Sequence, residues 1–377
     1  MGVLLSATKE AFGMALLRHL LEGPGDNVLI SPVSATVALG MAAAGAIGPT
    51  RDAILRTLGL DPAEDPHGEL IKLAARLRDP GRAVELDLVN SLWADRAFPL
   101  SERYAVSMRE AYGAEVQNLD FKDPHAAGII NQWAGAATDG RIPIVVDSID
   151  QDKLLYLVNA VFFRAKWIDP FFPDLTRIER FTTASGKQLQ APLMRRTGVF
   201  PYTEHRGYQA LSMRCQGLRF ELLIVLPDRH LPLGGFQRLA RPDLVSAIRP
   251  SLRKRQGLLA LPRVRIGYDQ NLAEHLAGMG MRLAFHPGAD FSGLSGVAGE
   301  FWISGVIHKT RLDIDEAGTT AAAVTVLDFS LGAELPEDLR AKPFEMIVDR
   351  PFLIAVIDAE TGATLFLGVI GDPGVRG

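Results

Sequence analysis

Residues Ile314 to Phe344 read IDEAGTTAAAVTVLDFSLGAELPEDLRAKPF, and the parts of this stretch ask for different surroundings. It opens on acids. From Ala317 to Leu327 it carries no charge and is built from Gly, Thr, Ala, Val and Leu, as a buried segment would be. It then breaks up into Gly, Pro, Glu and Lys, as a surface loop would. The preceding residues, EFWISGVIHKTRLDIDE, read as a strand. His308 lies on it among apolar neighbours, where a histidine is usually a hydrogen-bonded core residue.

Around this stretch the chain changes character once. Up to about Leu154 helical periods dominate. Leu16, Leu17, Leu20 and Leu21 recur at helical spacing before Gly-Pro-Gly. SPVSATVALGMAAAGA starts with Ser before Pro, a helix start, and continues in small residues that permit close packing. TRDAILRTLGL predicts a third helix with Thr50 as N-cap. ELDLVNSLWAD reads as a strand, and SERYAVSMREAYG and HAAGIINQWAGAATDG as helices. From KLLYLVNAVFFRAKW onward strands prevail, that first one apolar on both faces like a central sheet strand. ELLIVLP, GLLALPRVRIGY and FEMIVDRPFLIAVIDAETGATLFLGVI follow, the last with a turn signal at Asp358 to Gly362. Without a βαβ rhythm the expectation is one α+β domain, residues 1–377, with mainly antiparallel sheets.

Composition narrows the function. The chain has 377 residues, 47% hydrophobic and 22% charged, with a net charge of −4. That charge argues for neither nucleic acid nor an anionic membrane as partner. RKRQ at Arg253 to Gln256 reads as a solvated loop. The one cysteine, Cys215, excludes an internal disulfide and reads as a strand residue rather than a nucleophile. No G-x-S-x-G, H-E-x-x-H, C-x-x-C or Walker A pattern occurs. GMGMRL at Gly278 is only half a dinucleotide fingerprint. The expectation is therefore no enzyme, no metal and no cofactor. No signal peptide and no transmembrane-length apolar run is visible, which suggests a cytoplasmic protein, or an extracellular one if the chain is a mature form.

Six segments, NVLISPVSATVALGMAAAGAIGPTRDAILRTLGL, INQWAGAATDGRI, LYLVNAVFFRAKWIDPFFPDLT, ADFSGLSG, VIHKTRLDIDEAGTTAAA and DRPFLIAVIDAETGATLFLGVI, resemble the serpin family in the family's order. The resemblance runs from about Phe12 to Pro373. It implies a fold of three β-sheets and about nine helices with an exposed reactive-centre loop, here about residues 316–343. It implies a suicide inhibitor of serine proteases acting as a monomer. The protease attacks the loop and forms a covalent acyl-enzyme. The cut loop enters the main sheet as a strand and the distorted protease stays trapped. The alternatives are a non-inhibitory carrier or chaperone of the same family and an unrecognised hydrolase.

The residues suit that role. A segment that moves from water into a sheet cannot carry charge on its buried face. Thr319, Ala321, Ala323, Thr325 and Leu327 would face the core, and neither they nor their alternates are charged before Asp328. By the resemblance the hinge is Glu316, Gly318, Thr319, Thr320, Ala321, Ala322 and Ala323, with Gly318 supplying backbone freedom. Thr320 replaces a frequent Glu, and Val324 is bulkier than the usual residue. The resemblance places Trp167 and Glu316 at the breach, where insertion starts, with Arg263 at the family's Lys position. It places Ser31, Ser34, Asn159 and His308 in the polar shutter under the central strands. The count from Glu316 puts the scissile residue at Gly332; a hinge one residue shorter puts it at Leu331. Leu331 is preferred, because it fills an apolar primary pocket of a chymotrypsin- or elastase-like protease.

Overall fold

A computed structural model describes residues 2–64, 66–78, 84–150, 153–295, 302–316 and 342–374. Among these residues fourteen strands and nine α-helices are numbered here in chain order.

The site depends on the smaller, five-stranded sheet, ordered β10 (Val264–Asn271), β11 (Gly305–Ile314), β4 (Leu155–Ala165), β2 (Val84–Asp95) and β3 (Glu115–Leu119). Its centre is β4. Tyr156, Val158, Ala160 and Phe162 form one apolar face, packed with Ile130 and Ala134 of α6 (Ala126–Ala137). Leu155, Leu157, Val161 and Phe163 belong to the two cores on the other side. This accounts for a strand apolar on both faces. Antiparallel pairs join β10 to β11 and β2 to β4. Between them β11 and β4 run parallel, in register from Gly305 opposite Tyr156 to Asp313 opposite Arg164.

The larger sheet has nine strands. Its main path is β1 (Asn27–Ile30), β14 (Thr364–Ile370), β13 (Phe352–Asp358), β8 (Phe220–Pro227), β7 (Tyr208–Arg214), β6 (Gln188–His205), β9 (Arg253–Pro262) and β12 (Phe344–Ile347). β5 (Arg177–Thr182) pairs with β6 beside it. The eighteen residues of β6 belong to two strand groups. One end pairs with β5 and β9, the other with β7, so two of the three expected sheets share one hydrogen-bonded strand.

α2 (Pro32–Gly45) lies between the sheets, buried along its length except at Ala44. Only a helix of small and apolar residues fits there. The β13–β14 turn closes as expected, with Gly362 at φ 69° and its N–H donating to the Asp358 carbonyl at 2.7 Å.

Three local expectations need correction. α3 (Gly48–Thr57) starts two residues before Thr50, with Pro49 presetting its first turn and Ile47 as N-cap. Thr50 Oγ1 instead accepts the Asp290 N–H at 2.9 Å. Arg253 to Gln256 is strand rather than loop: its backbone pairs with β6 from Tyr202 to Val199 while three of its four side chains stay exposed. Charge there reports a solvated strand face. GLLALPRVRIGY is two strands, β9 and β10, parted at Arg263.

Candidate functional site

The parallel β4·β11 pair carries two polar clusters, one under its middle and one at its C-terminal end.

The first begins at the entry to α2. Pro32 occupies the first helical position, and Ser31 caps the helix by accepting the Ser34 N–H on its Oγ at 3.4 Å. The cap holds Ser31 and Ser34, both fully buried, under the sheet. Asn159 of β4 and His308 of β11 occupy opposing register positions, and Asn90 of β2 is opposite Asn159 on its other side. Asn159 Nδ2 donates to Ser34 Oγ and, at 2.6 Å, to Asn90 Oδ1. The Ser31 N–H donates to His308 Nε2 at 2.9 Å. Thr310 Oγ1 donates to the Leu29 carbonyl at 2.9 Å, which ties β11 to β1. The four residues named from sequence at these positions thus fall in one buried hydrogen-bonded network that also takes in Asn90, with Thr310 bonded separately to β1; sequence reading missed both. Neither stood out locally, because Thr310 lies between Lys309 and Arg311 and Asn90 is followed by Ser91.

Because His308 Nε2 accepts a hydrogen bond, the imidazole is neutral and carries its proton on Nδ1. Full burial pushes its pKa down to about 3. His308 Nδ1 and Asn159 Oδ1 are buried without a partner. An unmet buried donor or acceptor costs about 1–3 kcal/mol, so the network is incomplete along the seam between β4 and β11.

A pH dependence follows. The unfolded chain binds a proton at His308 below about pH 6.5, whereas the folded chain takes it up only near pH 3. The unfolded state therefore holds more protons in that window, and stability falls as the pH is lowered, by up to about tenfold in the folding constant per pH unit. The urea midpoint of the wild type should drop between pH 7 and pH 4.5, and that of His308→Gln should drop less steeply. Parallel profiles for the two proteins would contradict the assignment.

The second cluster lies where the chain leaves β11. Glu316 is 8% exposed at its side chain and receives Arg263 Nε on both carboxylate oxygens, at 2.8 and 2.6 Å. Thr176 Oγ1 donates to the same carboxylate. Burial raises the Glu316 pKa, but the hydrogen bonds from Arg263 and Thr176 outweigh it and hold the carboxyl below its ordinary range. Arg263 occupies the break between β9 and β10, which turns it toward Glu316. Trp167, 3% exposed, donates its Nε1–H to the Asp315 carbonyl at 2.9 Å, and Arg164 meets Asp315 at 2.8 Å. Thr176, Arg164 and Asp315 were not singled out from sequence. They are ordinary polar residues whose meeting depends on the tertiary fold.

Gly318, Thr319, Thr320, Ala321, Ala322, Ala323, Leu331 and Gly332 lie outside the described residues. Cys215 pairs across an isolated bridge with Trp167, and burial pushes its thiol up to about 12, far from a reactive thiolate. Among the described residues no group of three or more His, Cys, Asp or Glu could hold a metal ion, and no helix is long and apolar enough to cross a membrane.

Comparison with known proteins yields a concordant set. A family profile described as Serpin (serine protease inhibitor) matches residues 7–373. An uncharacterised serpin-like protein of Thermococcus kodakarensis is 34% identical over 361 residues, spanning 94% of this chain and 82% of the relative. Leukocyte elastase inhibitor of Equus caballus is 30% identical over 383 residues, spanning 98% of this chain and 99% of the relative. The structure of human thyroxine-binding globulin superposes with a TM-score of 0.86 at 26% identity, covering 98% of each chain.

Proposed function

This chain belongs to the serpin family, and from that premise we propose that it is a suicide-substrate inhibitor of chymotrypsin- or elastase-like serine proteases. The observation that carries the proposal is the parallel β4·β11 pair. The chain leaves β11 at Ile314 and Glu316, and a segment folding back from there would run antiparallel to both strands. Insertion replaces one parallel ladder with two antiparallel ones, the better-aligned arrangement. The ladder spans Gly305 to Asp313 on one strand, a length that the charge-free run Ala317–Leu327 can cover.

The clusters take roles in this scheme. The Arg263–Glu316 pair, with Trp167 beside it, anchors the root of the loop at the breach. The shutter of Ser31, Ser34, Asn159 and His308 must part when β4 and β11 separate, and its unmet donor and acceptor weaken the closed state. The protease contributes its own nucleophile and catalysis, so this chain acts as a trap rather than a turnover enzyme. Distortion of the captured protease stops deacylation. The complex is one inhibitor monomer with one protease.

Thyroxine-binding globulin has the same fold and its name describes a carrier. Incubation with chymotrypsin, elastase and trypsin separates the two readings. A band that survives boiling in detergent is expected with chymotrypsin or elastase, and no such band with trypsin, because no Lys or Arg lies between Arg311 and Arg340. Clean cleavage without a complex would favour the carrier. Mass spectrometry of the peptide released from the denatured complex is expected to start at Gly332, placing cleavage after Leu331. A start at Ala333 would move the scissile residue to Gly332. A start elsewhere would contradict the loop assignment.

A further inference from the structure

Four helices at one flank of the molecule leave a space between them: α2, α3, α4 (His67–Leu77) and α5 (Glu102–Tyr112). The cavity measures about 510 Å³, within the range of sites that take a small organic ligand. It arises from the small residues of the GMAAAGAIG run. On one side they permit close approach: a Cβ on Gly40 would come within 2.6 Å of Leu70 Cδ1. On the other side, Ala43 and Ala44 leave the volume open, above a floor that includes the buried Leu55 and Met108. The Tyr104 ring adds to the wall. Its hydroxyl donates to the Met41 carbonyl at 2.8 Å and is taken up there.

The rest of the lining mixes apolar residues such as Ile47 and Pro66 with cationic and polar ones. Arg51 and Arg103 both border the cavity, with Ser107 one turn beyond Arg103 on α5. Among the described residues the Arg51 guanidinium donates to carbonyls, those of Pro62 at 3.0 Å and Glu64 at 3.5 Å, and meets no carboxylate. Arg103 makes no hydrogen bond or ion pair among the described residues. Two guanidinium groups that meet no carboxylate among the described residues, beside an apolar floor, match a molecule with an anionic head and an apolar body. A planar guanidinium is the natural receptor for a carboxylate.

We propose that this cavity binds a small amphipathic monoanion, its apolar body over Ala43, Ala44 and Met108 and its carboxylate or similar head at Arg103 and Arg51. The site is remote in sequence from the reactive loop, and the proposal does not depend on protease inhibition.

Calorimetric titration of the intact protein with decanoate tests it, with decanol and decyltrimethylammonium as head-group controls. Saturable binding of one decanoate is expected, decanol should bind more weakly, and the cation should not bind. Ala44→Phe, at an exposed position on the lining, should abolish the binding. Arg103→Gln should weaken it by about tenfold, the loss of one charge-assisted hydrogen bond. Absence of saturable binding, or equal binding by wild type and Ala44→Phe, would overturn the site. Decanol binding as tightly as decanoate, or an unchanged affinity in Arg103→Gln, would overturn the anionic assignment.

Discussion

Thr319→Arg is expected to turn an inhibitor into a substrate while leaving the fold intact. Thr319 is the first of the alternate residues assigned to the core face, so its side chain would be among the earliest buried. A guanidinium forced into that position without a partner carries a penalty of about 3–5 kcal/mol. At the entry to the sheet such a penalty slows insertion by roughly two orders of magnitude or more, while deacylation of the protease proceeds at its own rate. The acyl-enzyme would then hydrolyse before capture. Titration of chymotrypsin with the variant should require many inhibitor molecules per protease inactivated, and gels should show cleaved inhibitor in place of complex. Wild-type stoichiometry in Thr319→Arg would remove the basis for insertion from this hinge.

The second large effect concerns stability. On the proposed mechanism, cleavage in the loop would free its N-terminal arm to enter between β4 and β11. The expected gain is roughly ten ladder hydrogen bonds at about 1 kcal/mol each, together with side-chain burial. Asn159 Oδ1 and His308 Nδ1, left without partners in the closed sheet, would also gain a neighbouring strand. The melting temperature of the cleaved protein is expected to exceed that of the intact protein by tens of degrees. Scanning calorimetry of the intact protein and of the same protein nicked by a non-target protease measures this. Equal midpoints would mean that the closed sheet is already the most stable arrangement of the chain.

Local pattern made much of the architecture readable. The apolar run of β4 announced a central strand, Ser31-Pro32 announced the start of α2, and Asp358 to Gly362 announced a hairpin. Where the reading failed, the deciding interaction was not local. Arg253 to Gln256 carries the charges of a loop, but β6 supplies backbone partners that no window of sequence contains. Thr50 has the chemistry of a cap, yet Pro49 sets the helix start and the backbone N–H of Asp290, far along the chain, donates to its hydroxyl. The same division holds at the site. Ser31, Ser34, Asn159 and His308 could be named only by resemblance to a family, because no periodicity joins positions so far apart. Asn90, Thr176 and Asp315 have no motif, and the pairing of strands and loops makes them partners. The small residues of α2 predicted close packing, which Gly40 achieves against Leu70, but nothing in their order foretold the cavity beside Ala43 and Ala44.

The central claim is that β4 and β11 separate to admit the loop. A crystal structure of the loop-cleaved protein tests it most directly. In the intact protein Lys309 stands opposite Ala160 and His308 opposite Asn159 in a continuous parallel ladder. The account predicts that both pairings are lost, with residues from about Gly318 onward forming a strand between β4 and β11, antiparallel to each, and the two strands moved apart by about one strand spacing, 4.7–4.9 Å. A cleaved protein in which Lys309 still stands opposite Ala160 would contradict it.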